Sequence, residues 1–406
     1  MKQIILSLFI AICYIHADSY GQLYTLKGQV VEEDQKPVYG AQVFLNGTSK
    51  SVVSDKSGNF TLAGLVPGTY ELVVSLLGYK PFSQQVRIEK QDIHVKATLF
   101  FNAVSLKEVV VQPDIHWKEN YEVFKEIFLG KSANAKQCKI LNPEVLNIFF
   151  DKNERIMEAD SGGEFLIIEN KALGYQLKYL LMDFKLQYQS GMLSYVGKTA
   201  FDNLKGSAAR KKRWSQNRKK AYLGSSQHFL TSMFNNTAYQ DGYEVQKLIR
   251  TPNKERPSDS LISANIRRLS KEVNGQIFIG NDDSVNYWIN KRKLPKINQY
   301  LVKGNLRTDS LLTTLSENFK ELKFSDCLYV IYTREREPLE YNAWNGTIPK
   351  PLDQPNYQVS IISRNEVPIA FDRHGNLDDP LAIFYEGYWA FEKIADMVPS
   401  DFKIPQ

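Results

Sequence analysis

The chain has 406 residues, 43% of them hydrophobic, with 51 Lys and Arg against 45 Asp and Glu for a net charge of +6. That apolar share excludes a disordered chain, and the length exceeds one ordinary domain. So mild an excess of base does not mark a nucleic-acid binder. The first element is a leader: Lys2 precedes an apolar run from Ile4 to Ile15, and small and polar residues follow to Gly21. A charged start, a short apolar core and a small-residue exit make a secretory signal over residues 1–21, cleaved after Gly21, with Ala17 as the alternative site. The run falls short of the roughly 20 apolar residues that span a bilayer. An uncleaved anchor, a buried first helix and lipid attachment at Cys13 are the competing readings. Export places the chain in the periplasm or at the outer membrane, with the cell surface as a further destination. No later stretch is apolar enough for a transmembrane helix.

Residues 22–112 alternate short apolar runs with turn signals. The runs are Tyr24–Val31, Ala41–Leu45, Val52–Ser54, Phe60–Leu62, Tyr70–Leu76, Lys80–Ile88 and Val95–Phe101. Asn46-Gly47 and Ser57-Gly58 supply turns because glycine accepts positive φ at little steric cost. This spacing predicts an antiparallel sandwich of about seven strands. No GxGxxG or GxxxxGK[ST] is present, so none of the glycines builds a phosphate loop.

From Pro113 the pattern changes. Trp117, Tyr121, Phe124, Ile127 and Phe128 share one face of a helix over His116–Leu129, ended by Gly130. Strands are expected at Val145–Phe150, Arg155–Ala159, Glu164–Glu169 and Tyr175–Tyr188, the last pairing with Met192–Ala200 through a Gln189–Gly191 turn. The stretch Lys205–Tyr222 carries eight Lys and Arg and no acid. It is read as a basic helix whose charges face water while Trp214 and Tyr222 pack. Arg210, Lys211, Lys212, Arg213, Arg218, Lys219 and Lys220 are the candidate contacts for anionic lipid or glycan. Leu223–Tyr239 is expected to be helical, with Phe229, Met233 and Phe234 inward. Residues 250–275, with Pro252 and Pro257, read as a loop insertion, and residues 335–356, with four prolines, as a long surface loop. Strands return at Gln276–Ile279, Tyr300–Leu306, Cys327–Thr333 and Gln358–Ile362, and Glu386–Ala395 fits either a strand or a short helix.

The series Gly28, Pro37, Gly40-Ala41, Val43, Gly47-Thr48, Asp55, Gly58-Asn59-Phe60, Leu65, Gly68, Tyr70, Leu72, Gly78-Tyr79 resembles the carboxypeptidase-regulatory-like (transthyretin-like) domain. The trailing Leu106–Val111 is similar to segments that follow this domain in Bacteroidetes envelope proteins. The resemblance implies a non-catalytic sandwich appended to other domains. The region from 113 to 406 is too short for the plug and barrel of about 22 strands found in large transporters. A second series, including Cys138–Pro143, Leu173-Gly174-Tyr175, Trp214, Arg218, Tyr222 and His228-Phe229, resembles exported Bacteroidetes proteins with the same first module and no assigned activity. The fold class expected is mostly β: a seven-stranded transthyretin-like, Ig-like sandwich over 22–112, then a strand-rich α+β domain over 113–406.

His116-Trp117-Lys118-Glu119, with His228 farther on, has the His-x-x-Glu…His spacing of a zinc carboxypeptidase. The flanking residues do not match that family, and here the module precedes everything else. No G-x-S-x-G accompanies His94, His116, His228 or His374. Asp160 with Glu164, and Asp282 with Asp283, read as turn residues rather than a glycosidase pair. Asp372-x-His374-x-Asn376-x-Asp378 lacks the Gly and Glu of a calcium loop. Cys138 and Cys327 lack a CxxC partner, and two unpaired thiols are favoured over a long-range disulfide. Asp259-Ser260-Leu261, Asp283-Ser284-Val285 and Asp309-Ser310-Leu311 resemble O-glycan acceptor triplets. The expectation is a non-catalytic envelope protein with no metal or cofactor, acting through surface binding or assembly. Its partner is an unidentified envelope protein, glycan or anionic lipid surface, and not nucleic acid. The alternative is a hydrolase of envelope peptide or glycan with a site near His228.

Overall fold

Turn residues between alternating apolar runs give eight strands over residues 22–102. They are β1 (Tyr24–Glu32), β2 (Gln42–Leu45), β3 (Ser51–Val53), β4 (Asn59–Leu65), β5 (Gly68–Ser75), β6 (Tyr79–Lys80), β7 (Phe82–Ile88) and β8 (Ile93–Phe101). The computed structural model describes residues 22–102, 116–273, 276–278, 283–344, 346–351 and 354–404. The stretch 1–21, expected to be a leader, and the Leu106–Val111 segment lie outside the described residues.

The strands form two four-stranded sheets, β4-β1-β8-β6 and β3-β2-β5-β7. Leu26, Val30, Phe60 and Leu62 of one sheet share a buried core with Val43, Leu45, Leu72 and Val74 of the other. The count is eight because Pro81 divides the single strand expected at Lys80–Ile88. A proline brings no N–H to a ladder, and there the chain leaves the β6 sheet for the β7 sheet. The sandwich is also not wholly antiparallel: β1 and β8 run parallel, from Leu26 opposite Ile93 to Glu32 opposite Leu99. Side-chain alternation has period two in either direction, so the pattern is silent on this point. Gly28 is where the backbones crowd: a Cβ there would lie 2.0 Å from the Val95 carbonyl oxygen.

Contacts divide the chain into two compact units. The first holds the described residues up to Ala221, with Asp372–Asn376 and the segment from Ile394; the second holds Tyr222–Phe371 and Leu377–Lys393. The division falls at 221/222, and the sandwich shares its unit with the sheet that follows.

That sheet comprises β9 (Cys138–Ile140), β10 (Asn147–Asp151), β11 (Ile156–Asp160), β12 (Phe165–Asn170), β13 (Tyr175–Gln187) and β14 (Met192–Asn203). Its order is β10-β11-β13-β12-β9, with β14 paired to β13 as the expected long hairpin. Helix α1 (Trp117–Leu129) packs Phe124 and Phe128 edge-on against Phe184 and Tyr179, at 4.9 and 5.1 Å between ring centres. Helix α2 (Ala208–Tyr222) follows β14.

The sandwich is stitched to β14 through the turn between β2 and β3. The Gly47 N–H donates to the Thr199 carbonyl (2.7 Å) and the Phe201 N–H to the Thr48 carbonyl (3.1 Å), while the Thr199 N–H donates to Asn46 Oδ1 (2.7 Å). Beneath them Phe44, Val73 and Ala200 are buried together against Phe165. Lys198 of β14 pairs with Glu71 of β5, each side chain only 16% exposed. Burial raises the Glu71 carboxyl, but hydrogen bonds from Lys198, Ser83 and Asn46 hold it below the usual range. The end of the chain joins the same turn: the Ser400 N–H donates to the Gly47 carbonyl (2.8 Å), and Ser49 Oγ donates to Asp401 (2.6 Å).

The second unit is built on a sheet in the order β18 (Ile297–Leu301), β15 (Tyr243–Pro252), β21 (Cys327–Arg336), β22 (Tyr357–Arg364), β24 (Ile383–Gly387). Residues 327–332 of the central β21 are all buried. Leu328, Val330 and Tyr332 join Phe229 and Met233 of α3 (Ser226–Asn235), while Cys327, Tyr329 and Ile331 join Val359 and Ile361 in a second cluster. A smaller sheet orders β19 (Leu312–Ser316), β20 (Phe319–Leu322) and β23 (Ile369–Asp372).

The supposed loop insertion at 250–275 holds the end of β15, helix α4 (Asp259–Leu269) and β16 (Lys271–Val273), which pairs with β17 (Gln276–Phe278) ahead of helix α5 (Asp283–Lys293). Pro252 and Pro257 both precede the helix and do not break it. Ser258 caps α4 by accepting from the Leu261 N–H, and Ile262 and Ile266 supply a buried i,i+4 pair. The supposed surface loop at 335–356 contains a short helix, α6 (Leu339–Asn342), with Tyr341 buried at 1% exposure, and a Glu337–Lys350 ion pair at 4% and 14%. The segment Glu386–Ala395 is both things foreseen, the end of β24 followed by helix α7 (Tyr388–Phe391).

Phe44 is fully buried where the sandwich meets the next sheet. Phe44→Ala is expected to cost about 3–5 kcal/mol of stability, as truncation of a buried phenylalanine does. Hydrogen-exchange protection should fall in β2 and in β14 together. Loss confined to the sandwich would show that the two parts unfold separately.

Candidate functional site

Helix α2 has almost no apolar stripe of its own, so side-chain hydrogen bonds fix its orientation. On its inner side Trp214 Nε1 donates to the Lys171 carbonyl (2.9 Å) and Asn217 Nδ2 to that of Ala172 (2.7 Å). Arg218 donates through Nε to Leu173 (2.7 Å) and through Nη2 to Gly174 (2.9 Å). Four consecutive carbonyls of the turn between β12 and β13 are thus taken by one helix. The Arg218 guanidinium also lies 3.6 Å over the Tyr175 ring. Gly174, at φ 71°, could not be replaced in this arrangement, since a Cβ would fall 2.1 Å from the Trp214 indole.

The geometry sorts the seven cations singled out from the sequence. Arg210, Lys211, Lys212, Arg213, Lys219 and Lys220 are exposed, and none makes an ion pair among the described residues. Arg218 is half-buried and belongs to the fold's interior bonding. Lys219 and Lys220 sit in the last turn, where the helix dipole favours positive charge; Arg210 and Lys211 sit near the first, where it does not.

His228 is buried at 7% exposure in the first turn of α3. Its Nδ1 accepts from the Gly224 N–H (3.2 Å) and lies 2.8 Å from the Tyr243 hydroxyl. Tyr222, Tyr243 and Tyr332 surround the ring at 5.1, 5.3 and 6.1 Å. Burial, with a smaller push from Arg334 and against the pull of Asp241, takes its pKa down to about 4. This imidazole is a neutral packing group.

Among the described residues, no cluster of three or more His, Cys, Asp or Glu side chains could hold a metal ion. Asp160 accepts from the Gly162 N–H and from Asn147 as a turn residue; Asp282 lies outside the described residues. Asp372 is fully buried and accepts from the backbone N–H groups of Thr69, His374 and Asn376 and from the Asn376 amide. Burial raises the Asp372 carboxyl and lowers His374 beside it. The sequence showed this aspartate only as part of a failed calcium pattern; its bond to Thr69 of β5, 303 residues away, had no local signal. Cys138 and Cys327 are both free thiols, and burial pushes Cys138 up to about 12. The serines of the three Asp-Ser-aliphatic triplets are all exposed. A cleft of 450 Å³ in the second unit is lined by Leu322, Phe324, Arg364, Val367 and Ile369 among others, with no histidine or cysteine.

The His228 pKa makes stability depend on pH. Histidine titrates near 6.5 when unfolded and at about 4 here, so the unfolded chain takes up the proton first as pH falls. Stability present above pH 6.5 is therefore lost progressively down to pH 4, by about 3 kcal/mol from this residue. Denaturant titrations across that window should show a flatter profile for His228→Asn. An identical slope in the variant would exclude His228 as the source.

Comparison with known proteins agrees with the first module. Residues 26–111 match the family model of the CarboxypepD_reg-like domain. The TonB-dependent receptor SusC of Bacteroides thetaiotaomicron is 35% identical over 77 residues, covering 19% of this chain and 8% of that protein. The TonB-dependent receptor P39 of Formosa agariphila is 37% identical over 84 residues, 21% of this chain and 8% of that one. The chain thus spans 8% of the length of these curated relatives. Among solved structures, 3-chlorocatechol 1,2-dioxygenase from Rhodococcus opacus aligns over 22% of this chain and 63% of its own at 13% identity. Its TM-score of 0.18 carries no argument. The sandwich that opens the described structure is thus the part of the chain that matches the CarboxypepD_reg-like domain.

Proposed function

We propose that the protein works in the cell envelope without catalysing a reaction, by holding the outer face of α2 against anionic groups there. One observation carries this reading: Trp214, Asn217 and Arg218 lock the inner face of α2 onto four backbone carbonyls, while four exposed cations on the opposite face, Lys212, Arg213, Lys219 and Lys220, have no acidic partner among the described residues. Charge held outward on a fixed element keeps its field and loses little entropy on contact. The leader-like start and the CarboxypepD_reg-like domain, whose matched relatives are TonB-dependent receptors, support the location. The hydrolase alternative gains nothing from His228, whose Nδ1 is already engaged in a buried tyrosine cage.

Fractionated cells should yield the protein with the envelope and release it in concentrated salt, where the screening length shrinks to about 3 Å. Substituting Lys212, Arg213, Lys219 and Lys220 with Ala should move it to the soluble fraction at low salt. Arg218→Ala should instead destabilise the fold by about 1–3 kcal/mol, because buried acceptors lose their donor. Salt-resistant retention of the fourfold variant would remove α2 from the function.

A further inference from the structure

The layout of charge on α2 separates two kinds of anionic target. Lys212 and Lys219 are seven residues apart, two full turns, so they stand in one row with about 10 Å between them. Arg213 and Lys220 form a second row of the same spacing, about 100° around the helix. Gln216 lies between the rows, and Ala208 and Ala209 complete the outer surface. This face holds no large apolar side chain. The aromatic residues of the helix, Trp214 and Tyr222, and with them Ala221, are 4%, 7% and 9% exposed and already spent on the interior. A helix that binds a bilayer surface seats an apolar face among the acyl chains. Here that face is unavailable to lipid because it is used by the fold.

From this charge complementarity we infer that the outer face of α2 is a track for an elongated polyanion, a glycan bearing carboxylate, sulfate or phosphate groups, lying along the helix axis between the two rows. The inference rests on the proposed anionic contact and names its chemical class. Successive acidic groups of such a chain meet Lys212 or Arg213 and then Lys219 or Lys220, and each contact releases counterions, which makes affinity steeply salt-dependent.

The test uses the purified chain with dextran sulfate and polygalacturonate as probes, neutral dextran as control, and vesicles of phosphatidylcholine with phosphatidylglycerol. The two charged polymers should bind, neutral dextran should not, and vesicles should bind at least tenfold more weakly than either polymer. Replacing Lys212, Arg213, Lys219 and Lys220 with Ala should weaken polymer binding at least tenfold and flatten its salt dependence. Replacing the three lysines with Arg should restore it. Alanine is the best helix former, so the fourfold variant should keep its melting temperature. Vesicle binding equal to or tighter than polymer binding overturns the polyanion track and leaves the anionic contact standing. Failure to bind either class overturns both. Undiminished polymer binding by the folded alanine variant moves the contact off this face.

Discussion

Four carbonyl oxygens in a row, from Lys171 to Gly174, set the orientation of everything charged on α2. Of these only Gly174 also accepts a backbone N–H, from Leu204, and a carbonyl buried unmatched would cost free energy. The helix supplies the donors from Trp214, Asn217 and Arg218. Lys212, Arg213, Lys219 and Lys220, on the opposite side of the helix, are then left facing outward. Asn170, at the head of the same turn, bonds the Leu173 N–H and the Ala395 carbonyl, so the returning end of the chain is held by the residue that shapes the turn. Remove the turn geometry and the cationic face loses its direction before it loses any charge.

The sandwich obeys a related logic at a different place. Its turn at Asn46–Thr48 exchanges backbone bonds with β14, and the neighbouring Glu71 is kept ionised by Lys198, Ser83 and Asn46 despite substantial burial. An ion pair so enclosed contributes little net stability, yet breaking it strands a charge, which favours one docked arrangement over others. The module is thus a built-in part of the first unit rather than a bead on a string.

Much of this was legible in the chain. Period-two alternation and Gly turns located the sandwich strands, and the Tyr175–Ala200 hairpin announced itself through Gln189–Gly191. The helical face of Phe124 and Phe128 was equally plain. Strand direction was not, because β1 and β8 alternate in the same way whether parallel or antiparallel. Prolines misled at 250–275, since Pro257 stands outside the Ser258 cap where it does no harm to the helix. The basic helix was visible as composition, but composition could not distinguish Arg218 from its neighbours. Only the stacking on Tyr175 and the two carbonyl bonds, made 44 and 45 positions away, reveal that one of seven cations serves the interior. Long-range bonds of this kind leave no periodic trace.

The stitch between the β2–β3 turn and β14 also bears on how the chain can be cut. β14 pairs with β13 along one side only, and on its other side Gly47 and Thr48 occupy the backbone groups of Thr199 and Phe201. A fragment starting after the sandwich would bare that strand margin beside Phe165, a template for pairing with other copies of itself. The small module at the front therefore covers a strand margin that its removal would leave open.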